Sequence, residues 1–379
     1  LRKKRVIKKT DFFILCLQGF CIAFNVASIA AIVPAVAKDF GISSFIVGRI
    51  NWAYMLPYGL VALVYGPLTR LFENKYIAFY SLLLFSVFSF LSGCAVNYQQ
   101  LFIFRLLVGA FAAATTPLVL IYIADHAHEE RRGKFVGLFF SATFVADLIG
   151  LFLSGIIPWR AMFFIPSGLG LLAAVLTLKY FPRTLSGKGI TSSRYMEALR
   201  EPAIFKVFAY IFIISILYHG VRQWLGVYFA QELGLKQFFV SIILTVSSLA
   251  GIFGEALGGH FADKKGRVAT LKMGVLLMVA AIAMLIFARS LAALFILMLF
   301  WGFGWTLNHA GLSTFLTDLD KRFIKEISSL NSSVRFLAGG LGVVIGGVVL
   351  QESFIAGFVI YGVLLLAMFL FTRKILLGR

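Results

Sequence analysis

Twelve runs of roughly twenty mostly apolar residues, separated by short polar or charged connections, constrain this chain more than any other feature. A helix of that length matches the hydrocarbon core of a bilayer, where no water is present to solvate an open backbone. The runs cover approximately 12–37, 45–65, 76–96, 100–123, 135–157, 161–181, 204–229, 238–258, 269–288, 291–315, 326–350 and 353–373. The expected fold class is therefore an all-α membrane protein with twelve transmembrane helices. Only 13% of residues are charged, against about a quarter in a soluble domain. The excess apolar surface calls for lipid.

Charge then sets topology. The net charge of +19 could suit nucleic acid, but the cations lie in clusters between apolar runs, which is a topology signal. No nucleic-acid partner is expected. Lys38, Arg49, Arg160, Lys236 and Arg289 fall on one side, Arg105, Arg222 and Arg335 lie inside runs, and the other 27 of the 35 Lys and Arg fall on the opposite side. That side, with both termini, is expected to be cytoplasmic. A missed or extra helix would move every later connection to the wrong side. The first run follows Arg2, Lys3, Lys4, Arg5, Lys8 and Lys9 and is too long for a signal peptide. Cys16, Cys21 and Cys94 lie in apolar runs and read as reduced packing residues.

The longest connection, 182–203, separates a half at 1–181 from a half at 204–379, each with six runs. It opens with Ser186-Gly187-Lys188-Gly189, a loop composition. Ser192 to Glu201 reads equally as a short interfacial helix or as plain linker.

Between the eighth and ninth runs stands Gly259-His260-Phe261-Ala262-Asp263-Lys264-Lys265-Gly266-Arg267. It reads as a short basic loop. Gly259 would end a helix and admit neighbouring backbone, Asp263 would cap a facing helix, and Gly266 would turn the chain. The pattern Gly-x-x-Ala-Asp-x-x-Gly-Arg resembles the loop signature of the major facilitator superfamily of transporters. In the first half, Gly66 to Lys75 holds the matching place, but Arg70 stands where the acid should be and Glu73 where the second Gly should be. The resemblance implies that the first-half acid helps latch the halves. Arg70 then implies a weaker latch, or Glu73 in its place. Arg105-Leu106-Leu107-Val108-Gly109 resembles the Arg-x-x-x-Gly of the fourth span, and Trp159-Arg160-Ala161-Met162-Phe163 the opening of the sixth. Tyr54 to Gly59 and Tyr65 to Leu68 are similar to the second span of drug- and sugar-efflux members. Phe144 to Gly150, in the fifth span, lacks the Pro usual in drug/proton antiporters.

The resemblance implies two six-helix bundles around a midplane cavity, working by alternating access, with a small-molecule substrate, protons and lipid as partners. A monomer in a bacterial inner membrane is expected. No paired metal ligands at membrane depth, nucleophile motif or phosphate loop is visible, so no enzyme, cofactor or metal is expected.

Ionisable groups at membrane depth are costly and mark function or partnership. Five qualify: Arg105, Asp147, Arg222, Glu255 and Arg335. Asp147 and Arg335 fall near the midplane by helical rise, Arg105 and Arg222 nearer the outer face, and Glu255 nearer the inner one. Asp147 reads as a titrating group or a structural ion pair. Arg335, with Asn331 one turn earlier, reads as an anion contact or an interhelix clamp. Arg105 reads as conformational or coupling-related, and Glu255 as a latch or a snorkelling residue beside Gly259, Asp263, Gly266 and Arg267. Polar stripes mark candidate substrate contacts: Gln18 and Asn25 in the first span, His219, Arg222 and Gln223 in the seventh, Trp301, Trp305, Asn308 and His309 in the tenth. An aromatic wall with a few convergent polar groups suits a small organic ligand. Gly342 and Gly346 form a Gly-x-x-x-Gly face for close helix approach. The expected function is proton-coupled export of a small organic solute. Symport or facilitated movement of an anionic organic solute stays open beside it, as does a non-transporting, receptor-like member of the fold.

Overall fold

The computed structural model describes residues 7–183, 194–317, 319 and 321–378. The side chains at 70, 129, 130, 133, 256, 317, 321, 324, 325 and 328 lie outside that description, so the expectation for Arg70 falls outside it. Residues 184–193 of the linker and the cations at 2–5 do so as well.

The described chain is helical, with no strand. Its first span is Lys9–Ala27 followed by Ile29–Phe40, and its second Arg49–Leu71. Asn74–Cys94 is the third, Tyr98–His126 the fourth, Glu129–Leu153 the fifth and Ala161–Tyr180 the sixth. Pro202–Glu232 opens the second set, followed by Gln237–Lys265, Arg267–Leu285, Leu291–Thr317, Ile324–Glu352 and Phe354–Leu377. Eleven of the helices are long and apolar enough to cross a membrane. The twelfth, Arg49–Leu71, is diluted by Asn51, Tyr54, Tyr58, Pro57, Tyr65 and Pro67, yet it keeps the length. The linker carries a short helix, Tyr195–Arg200, with Met196 exposed and Arg194 paired to Glu197 at 2.6 Å.

Two expectations about the basic motif are corrected. Gly259 to Lys265 is helix, not loop, because the eighth span runs on to Lys265. Nothing in that stretch breaks a helix that has left the apolar run, and the chain turns only at Gly266, whose φ of 85° suits glycine. Gly259 itself has open space where a side chain would go. Close approach falls one residue earlier, where a Cβ on Gly258 would sit 2.6 Å from that of Ala310. Among the cysteines, Cys94 ends the third span exposed rather than packed.

The chain forms two compact units: Leu1–Ile29 with Ala53–Ser193, and Ala30–Trp52 with Arg194–Arg379. Glycines set the tightest crossings in each. In the first unit a Cβ on Gly109 would lie 2.1 Å from the Tyr54 carbonyl oxygen, which accounts for the Gly of the Arg-x-x-x-Gly pattern. In the second, Gly342 and Gly346 face the carbonyls of Ile216 and Gly220, so the eleventh span lies flush on the seventh. The segment Ala30–Trp52 is tied into this second unit: Gln237 donates to the Ala31 carbonyl at 2.8 Å, Gln231 to the Ser44 hydroxyl at 3.0 Å, and Phe45 stacks on Trp224.

Candidate functional site

In the first unit Gln18, Asn25 and Arg105 are hydrogen-bonded across helices. Gln18 donates to Thr177 at 2.7 Å, joining the first and sixth spans, and is 1% exposed. Asn25, fully buried, donates to Ser89 at 3.0 Å and accepts from Arg105. Arg105 is itself buried, its guanidinium 4.6 Å from the Tyr54 ring and 5.8 Å from that of Phe163. Gln18 and Asn25, expected as substrate contacts, thus hold helices together, because both point into neighbouring spans. Asp147 is half-buried on the fifth span and is an electrostatic neighbour of Tyr54, as Arg105 is. Glu73, at the N-terminus of the third span, lies 4.0 Å from Arg183. Replacing Asn25 with Leu removes an acceptor from the buried Arg105. We expect a loss of about 1.5–3 kcal/mol, read as a lower melting temperature in detergent.

In the second unit several of the expected contacts keep buried polar atoms open beside a wall of aromatic rings. Tyr218 stacks on Trp305 at 3.8 Å and on Trp301 at 5.4 Å, both nearly parallel, which makes a three-ring wall from the seventh and tenth spans. His219 meets Trp305 edge-on at 5.7 Å. Arg335 donates through Nε to Asn331 at 2.8 Å, one turn back on its own helix. Both terminal nitrogens of Arg335 are buried without a hydrogen-bond partner. The same holds for His219 Nδ1, one terminal nitrogen of Arg222, Gln223 Oε1 and Trp301 Nε1. Buried polar atoms are nearly always paired, so open ones close to one another are candidates for contact with a ligand.

These groups form a ladder. Arg335 lies eleven residues into its span, about 16 Å by helical rise, and His219 seventeen residues into its own, about 25 Å. Arg222 is a further turn along. Glu255 and His309 stand level with Arg335. Glu255 is ten residues from the Lys265 end and His309 eight from the Thr317 end, about 15 and 12 Å. His309 Nδ1 is 3.0 Å from Glu255 Oε1 and 3.1 Å from Oε2. Glu255 therefore sits at mid-helix and pairs with the tenth span, rather than beside a loop, because its helix extends ten residues beyond it.

One expected stripe comes apart. Asn308 is fully buried and donates to Tyr210 at 3.0 Å and to the Leu271 carbonyl at 3.3 Å, so its amide nitrogen is taken up by the seventh and ninth spans. Adjacent residues on a helix point about 100° apart, so His309 turns toward Glu255 instead. Sequence reasoning missed Tyr218, the ring that both tryptophans share. Its signal was the i, i+4 spacing to Arg222. Of the basic-motif residues, Asp263 is exposed and Arg267 half-buried at the start of the ninth span.

The description of the Major Facilitator Superfamily matches residues 15–343. The chain belongs to the major facilitator superfamily. Its relatives there include multidrug resistance protein 1 of Bacillus subtilis, 23% identical, with 90% of each chain covered. A probable sugar efflux transporter of Helicobacter pylori is 22% identical over 90% of this chain and 88% of its own. Among solved structures, a D-xylose–proton symporter shares the superfamily fold with a TM-score of 0.76 at 16% identity, covering 97% of both chains. A member of this superfamily is an integral membrane transporter, not an enzyme, and the twelve helices described above are its fold.

Proposed function

We propose that this chain is a secondary transporter of a small aromatic organic anion, recognised within the second unit. The observation that carries the reading is Arg335: a guanidinium at mid-helix with both terminal nitrogens buried and unpartnered, in the unit that holds the Tyr218–Trp305 stack. A guanidinium offers a planar fork that fits a carboxylate or sulfonate with two parallel bonds. The ring wall would take the body of the solute, and His219, Arg222 and Trp301 supply further open polar atoms along it. Asn331 holds the fork in place through Nε. Asp147, Arg105, Gly259, Asp263, Gly266, Arg267 and Glu73 are assigned to coupling or conformational change.

Export of an uncharged or cationic solute is the second reading. The names of the Bacillus subtilis and Helicobacter pylori relatives and the efflux-like second span favour it.

Uptake into vesicles separates the two. Benzenesulfonate keeps its charge at every working pH, and benzenesulfonamide has nearly the same shape without it. The anion reading expects saturable uptake of labelled benzenesulfonate, competed by other aromatic sulfonates and carboxylates and not by the sulfonamide. Equal competition by the neutral compound would rule it out.

A further inference from the structure

We propose that the groove between the seventh and twelfth spans is a binding site for one anionic phospholipid, its acyl chain lying in the groove and its phosphate on Lys206 and Lys374. The site lies within the second unit and stands whichever solute the protein carries.

The groove follows from the twelfth span. This span is the most apolar of the eleven that qualify, and only a third of its most apolar stretch is buried. Such a helix turns a broad side to hydrocarbon. Along it Leu364, Phe371 and Lys374 are exposed, and Met368 between them is buried. On the facing side of the seventh span Ile213 is exposed and Leu217 buried. These residues line a groove of about 420 Å³ with exposed walls and a floor of Leu217 and Met368. From Leu364 to Ile375 it runs about 16 Å by helical rise. Half of a hydrocarbon core is about 15 Å, so the groove is as long as one leaflet is deep.

The cations stand at one end of it. Lys206 precedes Ile213 by seven residues and Leu217 by eleven, hence shares their face. Lys374 belongs to the groove wall itself. A Cβ on Gly378 would sit 3.3 Å from Lys206 Nζ, and Gly378 N–H donates to the Lys374 carbonyl at 2.9 Å. The start of the seventh span and the end of the twelfth therefore bring both lysines to the same mouth, with Arg373 exposed beside them. Among the described residues neither lysine pairs with a carboxylate. On another side of the twelfth span, by contrast, Lys272 lies over the Phe369 ring, 4.5 Å from its centroid, so that cation is already covered.

Charge selects the occupant. The apolar floor would accept any acyl chain, but the mouth discriminates between headgroups. A phosphate with net negative charge satisfies both ammonium groups, while a zwitterionic headgroup brings a cation of its own to them. The lysine stems are long enough to lie along the apolar wall and hold their charges at headgroup depth. A second copy of this chain, inserted the same way up, would bring a basic end against a basic end.

The test is photocrosslinking of the full chain in vesicles of equal phosphatidylglycerol and phosphatidylethanolamine, with benzoylphenylalanine in place of Phe371 and adducts identified by mass. Val175, exposed on the sixth span one turn before Lys179, takes the same probe as the control, because it combines apolar surface with a single cation. Two cations acting on one anionic headgroup should enrich phosphatidylglycerol adducts at position 371 about thirtyfold, and one cation at position 175 about fivefold at most. Lys206→Gln with Lys374→Gln should bring position 371 close to parity, and Lys206→Arg with Lys374→Arg should keep the enrichment. A probe at Ile213 repeats the measurement from the facing span should the Phe371 variant fail to fold. Parity at position 371 in the parent, enrichment no greater than at position 175, or enrichment that survives the double Gln substitution overturns the proposal. Chain-to-chain adducts in place of lipid adducts overturn it in favour of a second copy.

Discussion

Arg335→Gln is expected to lower kcat/KM for benzenesulfonate entry by roughly a hundredfold or more while the protein stays folded. Truncating one partner of a buried, hydrogen-bonded charge pair costs about 2–5 kcal/mol in binding, and every 1.4 kcal/mol is a factor of ten. Gln is shorter, uncharged and unable to present a fork. Arg335→Lys keeps the charge without the fork and should recover only part of the loss. Melting temperature provides the second readout. The hydrogen bond of Arg335 is to Asn331 on its own helix, so that bond ties no second span to the eleventh. A clamp would lose stability on substitution. Here the melting temperature should hold or rise, because a buried charge with open nitrogens has been removed. Parental entry rates in Arg335→Gln would sink the anion reading.

Gly346→Val should be the most damaging substitution for the fold. A Cβ there would lie 2.1 Å from the Gly220 carbonyl oxygen and 2.9 Å from its Cα. These are backbone atoms, so no side chain can swing aside, and the eleventh span must move off the seventh. Overpacking typically costs about 1–3 kcal/mol, and a backbone clash without relief belongs at or beyond the top of that range. We expect little folded protein on size exclusion, and in any folded fraction a loss of anion entry, since the same contact sets the spacing of Arg335 from His219 and Arg222. Gly259→Ala is the control. It alters a residue of the basic motif, but no atom lies within 4 Å of the new methyl, so stability should hold or rise by up to about 1 kcal/mol, the helix preference of Ala over Gly. A Gly346→Val protein that melts like the parent would refute this account of the crossing.

How far the chain could be read before its structure follows from these particulars. The helices were legible because lipid imposes a length and a composition that any linear scan detects. The Gly-x-x-x-Gly face was legible too, since a repeat of four on one helix face has one main use in a membrane. Arg335 with Asn331 was readable as a pair because they lie on one helix, one turn apart. The cross-helix bonds of Gln18, Asn25 and Asn308 were hidden for a common reason. Spacing tells which face a side chain shares, but not whether that face meets a cavity or another helix. Thr177, Ser89 and Tyr210, which claim those three amides, lie 159, 64 and 98 positions away. The pairing of Glu255 with His309, 54 positions apart, was hidden in the same way.

Sequence alone determined that this chain crosses a membrane many times and which transporter superfamily it belongs to, because hydrophobic length and a local motif are properties of neighbours along the chain. Tertiary structure decided which polar groups hold helices together and which remain open. That depends on what each buried group meets across a helix interface, and such partners come from spans far apart in the chain.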